Sequence, residues 1–348
     1  MVHQKLTKRI NKYISGVSRA DKYIGKENSL QKLRYKDMMK RCFLTGEYVF
    51  YATDRAKRPH SYKKTEVKVT PKQYCPFCPE NEAYTPGLVY ASEDKTIRIV
   101  GNKYPFLPKN GQFFGIHDVL IDTPDHEQAL IDFSDEHMNT LIKTIKERYV
   151  QLEQDDRSRY VQVFKNQGID AGASQSHSHW QITSLCVIPA KMEHLLSVLK
   201  KFHSDTGHCY FCKLNFADRI VEENEDFISY IPADGKFPYG MDILPKRHIS
   251  SIKEFNEREI KNFGIILRNS LIRLNNVREG ICYNVCLYSA PKNAKSEEYF
   301  HFYAQIIPRL GYMAGFEFST GCYINSTLPE IAAKELREAS NVRKTNDN

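Results

Sequence analysis

The stretch Gly172-Ala-Ser-Gln-Ser-His-Ser-His-Trp-Gln-Ile182 decides how the rest of the chain is read. Its polar residues recur at every second position: His177, His179 and Gln181. Successive side chains of a β-strand point to opposite faces, so these three share one face while Ser178, Trp180 and Ile182 share the other. Two imidazoles and a carboxamide therefore converge on one small volume. A solvated strand face would carry His-x-His equally well; the Gly-Ala-Ser lead-in and the closing glutamine tip the reading towards a site.

Working outward, the nearest partners are cysteines. Cys75 and Cys78 form one Cys-x-x-Cys pair, with His126 after it and His177 further on. Zinc prefers four tetrahedral ligands, and two cysteines with two histidines make a closed structural set. His177 supplies the fourth ligand, which leaves His179 free on a strand whose neighbour is locked by metal. The same series returns as Cys209, Cys212, His248 and His301. In each series the first histidine lies roughly 35–50 residues past the cysteines and the second roughly 50 further on, as a duplication would produce. The expectation is two zinc ions per chain; iron suits one of these sites as well. The copies differ at one place: Tyr303 stands where the free histidine would be. A phenol with a pKa near ~10 is a poor nucleophile at neutral pH, so one working site per chain is expected.

A free neutral imidazole can attack the α-phosphorus of a nucleotide and split one hard substitution into two easier ones. The opposite ring nitrogen must then hold its proton, against a backbone carbonyl. Negative charge spreads over the phosphoryl oxygens in the transition state, where Gln181 and Ser174 can each donate a hydrogen bond. The segment ending Asp54-Arg55-Ala-Lys-Arg58-Pro59 follows a strand with three positive charges. Arg55 and Arg58 are suited to fork onto phosphate oxygens, although charge alone is as consistent with a solvated basic turn.

Composition sets the frame. With 348 residues, 41% of them hydrophobic and 26% charged, the chain suits a soluble protein with two substantial cores. It lacks the ~18 consecutive apolar residues of a membrane span and the apolar core of a secretory signal, so a cytoplasmic location is the default. The net charge of +8 suits anionic partners, but the basic residues form no long run, and small phosphorylated substrates fit better than nucleic acid. Nine cysteines, an odd number, do not make a disulfide scaffold in a chain of this length. The five outside the pairs (Cys42, Cys186, Cys282, Cys286 and Cys322) read as buried thiols.

Alternation in EYVFYA and in GIHDVLID (115–122) indicates strands, as do Val161–Phe164, His177–Ile182, Tyr283–Leu287 and His301–Ile307. Helices are expected after the Ser134 N-cap, from Met192 to a break at Gly207, across Ile260–Leu274, and after Pro329. The fold class is therefore α+β: two tandem domains, each an antiparallel sheet with packed helices. Residues 1–33 read as an N-terminal extension, 34–200 as the catalytic first domain, and 201–348 as a metal-binding, non-nucleophilic second domain.

Taken together, LTGEYVFYATDRAKRP, CPFC, Asn102-Lys-Tyr-Pro105, TPDH126, FKNQG, GASQSHSHWQI, LPKRH248 and the tail from HFYAQIIPRLGYMAGFEFSTGCYIN to AAKELR fall in one order between Thr45 and Arg337. In that order they resemble the galactose-1-phosphate uridylyltransferase family of the histidine-triad superfamily. The resemblance implies tandem histidine-triad folds and a ping-pong reaction through a nucleotidyl-histidine. It carries the nucleophile to His179 and the phosphate-contacting amide to Gln181. It carries nucleotide or phosphate contacts to Arg55, Arg58, Asn102, Asn166 and Ser174. It implies zinc at both Cys/His sets and a homodimer in which the partner's C-terminal region contacts the sugar. In that region Glu317 is retained, while Gly311, Phe316 and Tyr323 stand where galactose-handling members carry lysine, tyrosine and glutamine. GASQSHSH is moreover similar to the ADP-glucose phosphorylase branch.

The expected function is nucleotidyl transfer from a nucleotide sugar to a sugar 1-phosphate or similar phosphorylated acceptor. A phosphorylase using inorganic phosphate shares the chemistry, and so does a hydrolase using water. A non-catalytic zinc protein that binds nucleotides or nucleic acid is the alternative of another class; it leaves Gln181 unexplained.

Overall fold

The computed structural model describes residues 39–57, 70–108, 110–111 and 113–340. The expected N-terminal extension and Arg58 lie outside the described residues.

Strands β1 (Met39–Arg41) and β2 (Tyr48–Tyr51) open the described chain. The first repeat then supplies β3 (Leu88–Ala91), β4 (Arg98–Gly101), β5 (Gly115–Ile121), helix α1 (Asp135–Gln154), β6 (Tyr160–Gln167) and β7 (His179–Leu185). Helix α2 (Ala190–Thr206) leads into the second repeat: β8 (Ile220–Glu223), β9 (Phe227–Tyr230), β10 (Met241–Pro245), α3 (Glu257–Val277), β11 (Tyr283–Tyr288) and β12 (Tyr303–Pro308). The tail adds α4 (Gly315–Thr320), β13 (Tyr323–Asn325) and α5 (Pro329–Glu338).

Ten of the strands form one sheet in the order β3-β4-β5-β7-β6-β11-β12-β10-β9-β8. Read inward from either edge, the connectivity is the same, and the two repeats meet where β6 pairs with β11. Every pairing in it is antiparallel, which lets one face carry a core and the other carry polar groups. The α+β class expected from the sequence is the one observed. Strands β1, β2 and β13 form a separate three-stranded sheet. Among the described residues no helix is long and apolar enough to cross a membrane.

Local signals explain the helices. The Ser134 hydroxyl accepts the His137 amide at the start of α1, with Asp135 and Glu136 in its first turn, favourable against the helix dipole. Asn256 and Glu259 cap α3 reciprocally. The buried stripes Met138, Leu141, Ile145 and Leu152 of α1, and Ile260, Phe263, Leu267 and Leu271 of α3, follow the helical period. Both helices cover one sheet face, burying Val163, Trp180, Ile182, Val285, Phe302 and Ile306 in a single core that spans the two repeats. Each such side chain contributes about 1.5–3 kcal/mol when fully buried. The helices touch at Gly264, where an added Cβ would lie 3.1 Å from Met138 Cβ, so the crossing needs a residue without a side chain.

Helix α2 lies on the opposite face, mainly over the second repeat, with Tyr160 of β6 also in its cluster. Its Met192, Leu195, Leu199 and Phe202 join Tyr210, Phe211, Tyr230, Leu244 and Tyr303 in a second apolar cluster. One expectation needs correcting: of the five unpaired-motif cysteines only Cys42 is buried. Cys186, Cys282, Cys286 and Cys322 are half-buried, because Cys186 and Cys322 fall just past strand or helix ends and Cys282 and Cys286 lie at the seam, beyond the reach of α1 and α3.

Candidate active site

The β7 ladder settles which side chains share a face. Gln181 pairs with Val119 of β5 and Phe164 of β6, and His179 pairs with Ile121. Trp180 and Ile182 point into the helix-covered core, so His179 and Gln181 project from the other face. The Phe77 ring lies against both imidazoles, at 6.1 Å from His177 and 5.1 Å from His179, so the two histidines are on the same side as well.

His177 belongs to a cluster with Cys75, Cys78 and His126 whose donor atoms all lie within 4.8 Å of one another. Cys75 Sγ is 3.5 Å and Cys78 Sγ 3.6 Å from His177 Nδ1, and Cys78 Sγ is 3.3 Å from His126 Nδ1. These are the spacings of ligands about 2.0–2.3 Å from a common tetrahedral centre. The far nitrogen of His177 donates to the Thr123 carbonyl at 2.9 Å, which fixes Nδ1 as the atom offered to a metal. Burial and the neighbouring Cys75 thiol push the Cys78 thiol up to about 11, a cost that a bound cation reverses. The residues therefore fit a structural metal ion. Cys209, Cys212, His248 and His301 form the second such cluster, with Cys212 exposed. Cys212 Sγ is 3.3 Å from His248 Nδ1 and 3.5 Å from His301 Nδ1, and the far nitrogens donate to the Glu297 and Pro245 carbonyls.

His179 is differently placed. Its Nδ1–H donates to the His177 carbonyl at 2.9 Å, leaving Nε2 as the unprotonated nitrogen. Burial, reinforced by the positive charge of Lys165, pulls its pKa down to about 4. It is a neutral imidazole at physiological pH, with no metal cluster including it among the described residues.

Beneath it is a polar cluster that the sequence did not reveal. Lys165 is completely buried; its ammonium donates to Asp122 Oδ2 at 2.9 Å, to Ser178 Oγ at 2.7 Å and to the His179 carbonyl at 3.1 Å. The Ser178 hydroxyl also donates to Asp122 Oδ2 at 3.1 Å. One ion pair thus ties β6, β7 and the end of β5 together at the nucleophile's own backbone. Its signal in the sequence is the lysine in FKNQG, two residues past Val163 and so on the same face as that core residue.

His117 is the other residue missed. Its Nε2 lies 2.7 Å from Gln181 Oε1 and 3.1 Å from Asn102 Nδ2. His117 Nε2 thus stands between two carboxamides: as N–H it donates to the Gln181 oxygen, and unprotonated it accepts from the Asn102 amide. The exposed Phe106 ring sits 4.5 Å from the His117 ring. Asn102 is anchored by accepting the Tyr104 amide at 2.8 Å. The spacing in GIHDVLID shows the alternation but not the partner, because only the ladder brings β5 beside β7.

The remaining candidates fall in three places. Asn166, near the end of β6, accepts a hydrogen bond from Asn284 Nδ2 of β11 at 2.7 Å. Ser174 lies exposed in the loop before β7. Arg55 lies exposed in the 3-10 turn Thr53–Lys57 that follows β2 of the small sheet, and Glu317 caps its own helix α4 by accepting the Ala314 amide at 3.0 Å. The described contacts bring neither of these two to His179.

Comparison with known proteins places the chain among relatives. Residues 57–188 match the model described as "Domain of unknown function (DUF4931) N-terminal domain", and residues 189–348 match "Galactose-1-phosphate uridyl transferase, C-terminal domain". The ADP-glucose phosphorylase of Arabidopsis thaliana is 32% identical over 320 residues, covering 85% of this chain and 91% of that protein. The galactose-1-phosphate uridylyltransferase of Thermotoga maritima is 29% identical over 334 residues, covering 89% and 98%. A crystal structure of an Arabidopsis thaliana ADP-glucose phosphorylase with bound ADP-glucose superposes with a TM-score of 0.78 at 31% identity, over 87% of this chain and 99% of that one.

Proposed function

We take as premise what these likenesses show, that the chain belongs to the family of galactose-1-phosphate uridylyltransferases and ADP-glucose phosphorylases, and we propose that His179 carries its reaction. The protein is a nucleotidyltransferase. Its substrates on this reading are a nucleotide sugar and a phosphorylated acceptor. In the first half-reaction His179 Nε2 attacks the α-phosphorus, the P–N bond forms, and the P–O bond to the sugar phosphate breaks with its electron pair on the departing oxygen. In the second, an acceptor phosphate oxygen attacks the same phosphorus, and the electron pair of the P–N bond returns to Nε2. The proton stays on Nδ1, hydrogen-bonded to the His177 carbonyl, throughout, so neither step needs a separate base. Gln181, oriented by His117, donates to the phosphoryl oxygens, with Ser174 and Asn166 at the rim. Asn102 and the arginines Arg55 and Arg58 complete the nucleotide contacts, and Glu317 meets the sugar of a partner subunit.

The single observation that carries this reading is the hydrogen bond from His179 Nδ1 to the His177 carbonyl, which aims an unprotonated nitrogen outward. Incubation with labelled UDP- and ADP-sugars, followed by an alkaline quench, is expected to leave acid-labile label on the chain. Label that persists in His179→Ala would remove the proposed nucleophile.

The phosphorylase variant has its own support in the 32% identical ADP-glucose phosphorylase and in the GASQSHSH stretch. Turnover of a nucleotide sugar with inorganic phosphate alone would favour it over transfer to a sugar 1-phosphate. The donor sets support zinc in both clusters, two ions per chain, holding the strands in place and leaving the chemistry to His179. We also assign residues 34–200 to a catalytic unit and 201–348 to a metal-binding one, in a homodimer located in the cytoplasm. Metal analysis near one ion per chain would discard the second zinc; a monomer by sedimentation would discard the dimer.

A further inference from the structure

The seam between the repeats carries a polar relay of which the reaction as described uses only Asn166. Asn284 on β11 is buried, and its whole carboxamide is committed. Its Nδ2 donates to Asn166 Oδ1 at 2.7 Å and to the Ala171 carbonyl at 2.9 Å; its Oδ1 accepts from Arg309 Nε at 2.6 Å. An arginine only donates, so the amide orientation is fixed. Two consequences follow. Asn166 has its oxygen occupied, which leaves its Nδ2–H groups to donate outward. Arg309 is held by Nε, and its two terminal nitrogens have neither a carboxylate nor any other partner among the described residues.

The ladder places these donors beside the nucleophile. Asn166 pairs with Asn284 across the seam, and continuing the β6–β7 register two residues past the Phe164–Gln181 pair sets Asn166 opposite His179. On β12, Tyr303 and Gln305 lie in register with the same face of β11, and Arg309 extends that alternation, its amide bonded to the Cys282 carbonyl. All of these side chains therefore leave the sheet on the His179 side. Asn284 sits two strands from β7, about 10 Å away at the usual strand spacing. Close packing keeps the seam rigid here: Gly168, at φ +83°, has Cys282 Sγ where a Cβ would stand, 2.3 Å away.

We propose that Arg309, held by Asn284 at the junction of the repeats, binds the phosphate of the departing and accepting substrates next to His179. The ligand is a phosphate oxyanion, from inorganic phosphate or from a sugar 1-phosphate, gripped by the Arg309 fork together with the outward N–H of Asn166. The inference rests on the covalent reading above and adds to it a cation from the second repeat. It also gives that repeat a part in the reaction although its own nucleophile position holds Tyr303.

The experiment uses the full chain with Arg309→Gln and Arg309→Lys. The distal phosphate of the donor and the phosphate of the acceptor occupy one place in the two half-reactions. Arg309→Gln is therefore expected to raise the KM for nucleotide sugar and for acceptor alike by about 10- to 100-fold. Binding of a nucleoside monophosphate, which lacks that phosphate, stays at the parental value. Arg309→Lys, which restores the charge, recovers part of the loss. Parallel assays with inorganic phosphate and with hexose 1-phosphate identify the source of the oxyanion by which KM responds. Unchanged acceptor KM in Arg309→Gln, or equal weakening of the nucleoside monophosphate, overturns the assignment. So does Arg309→Lys performing no better than Arg309→Gln. Absence of label on parental His179 overturns the covalent reading itself, and this inference with it.

Discussion

The two repeats keep one frame and fill it with different chemistry. Phe77 stands 5.1 Å from His179 and 6.1 Å from His177; Phe211 stands 5.2 Å from Tyr303 and 6.0 Å from His301. Each second histidine of a Cys/His cluster donates a hydrogen bond from its far N–H to a backbone carbonyl. Behind that frame the copies part. In the first, Lys165, Ser178 and Asp122 form a buried charged cluster under the nucleophile. By ladder register the second has Leu287, Phe302 and Pro245 in their places, all buried. On the exposed side, Tyr303 stacks on Tyr288 at 4.5 Å and shares one apolar cluster with α2. A metal-tied strand is thus a reusable scaffold, and the reactive copy differs by a few buried polar residues.

The largest test of that contrast is covalent. His179→Ala is expected to reduce turnover by at least about 10³-fold, while Tyr303→Phe leaves it near the parental value. Label stoichiometry should be one per chain, and labelling of Tyr303→His at position 303 would erase the distinction between the copies. Next comes the buried ion pair. Lys165→Met strands Asp122 in the core and is expected to cost about 3–5 kcal/mol in denaturant unfolding, with kcat falling about 10²-fold and nucleotide KM nearly constant. Combining it with Asp122→Leu should restore stability without restoring kcat; recovery of both would reduce the pair to a packing device. A third test uses metal release. The first cluster is buried throughout while Cys212 is exposed, so a chelator should strip the second site first, with activity surviving until the first site empties. Simultaneous loss would contradict the asymmetry.

The smallest effect concerns acidity in the second repeat. Asp242 is buried, accepts from Gln305 Nε2 at 3.1 Å, and has its pKa raised to about 7, chiefly by burial. A carboxyl whose folded pKa exceeds its unfolded one supports the fold fully below about 4, and that support is lost as pH rises through about 7. Asp242→Asn keeps the acceptor without the charge. Its melting temperature relative to the parent should therefore climb between pH 4 and pH 8, whereas a flat difference would show the carboxyl to be ionised and solvated.

Much of the frame was legible in the sequence because it is periodic or stoichiometric. The two-residue alternation of His177, His179 and Gln181, the paired cysteines, and the Ser134 cap each imply their geometry locally. His117 and Lys165 were not legible, since each acquires its role from a neighbouring strand far away in the chain. The fusion of both repeats into one sheet was hidden for the same reason: nothing in β6 or β11 alone names the other as partner. Arg55 and Glu317 remain the converse case. Their proposed roles come from likeness, and the described contacts do not join them to His179.

That β6–β11 pairing has a consequence for the gene as well as the enzyme. A truncated product ending after either repeat would bare a full row of unsatisfied amides and carbonyls along its innermost strand. Such a fragment would recruit another copy of itself to hide that border, so splitting the coding sequence between the repeats should yield self-associating halves rather than two small independent proteins.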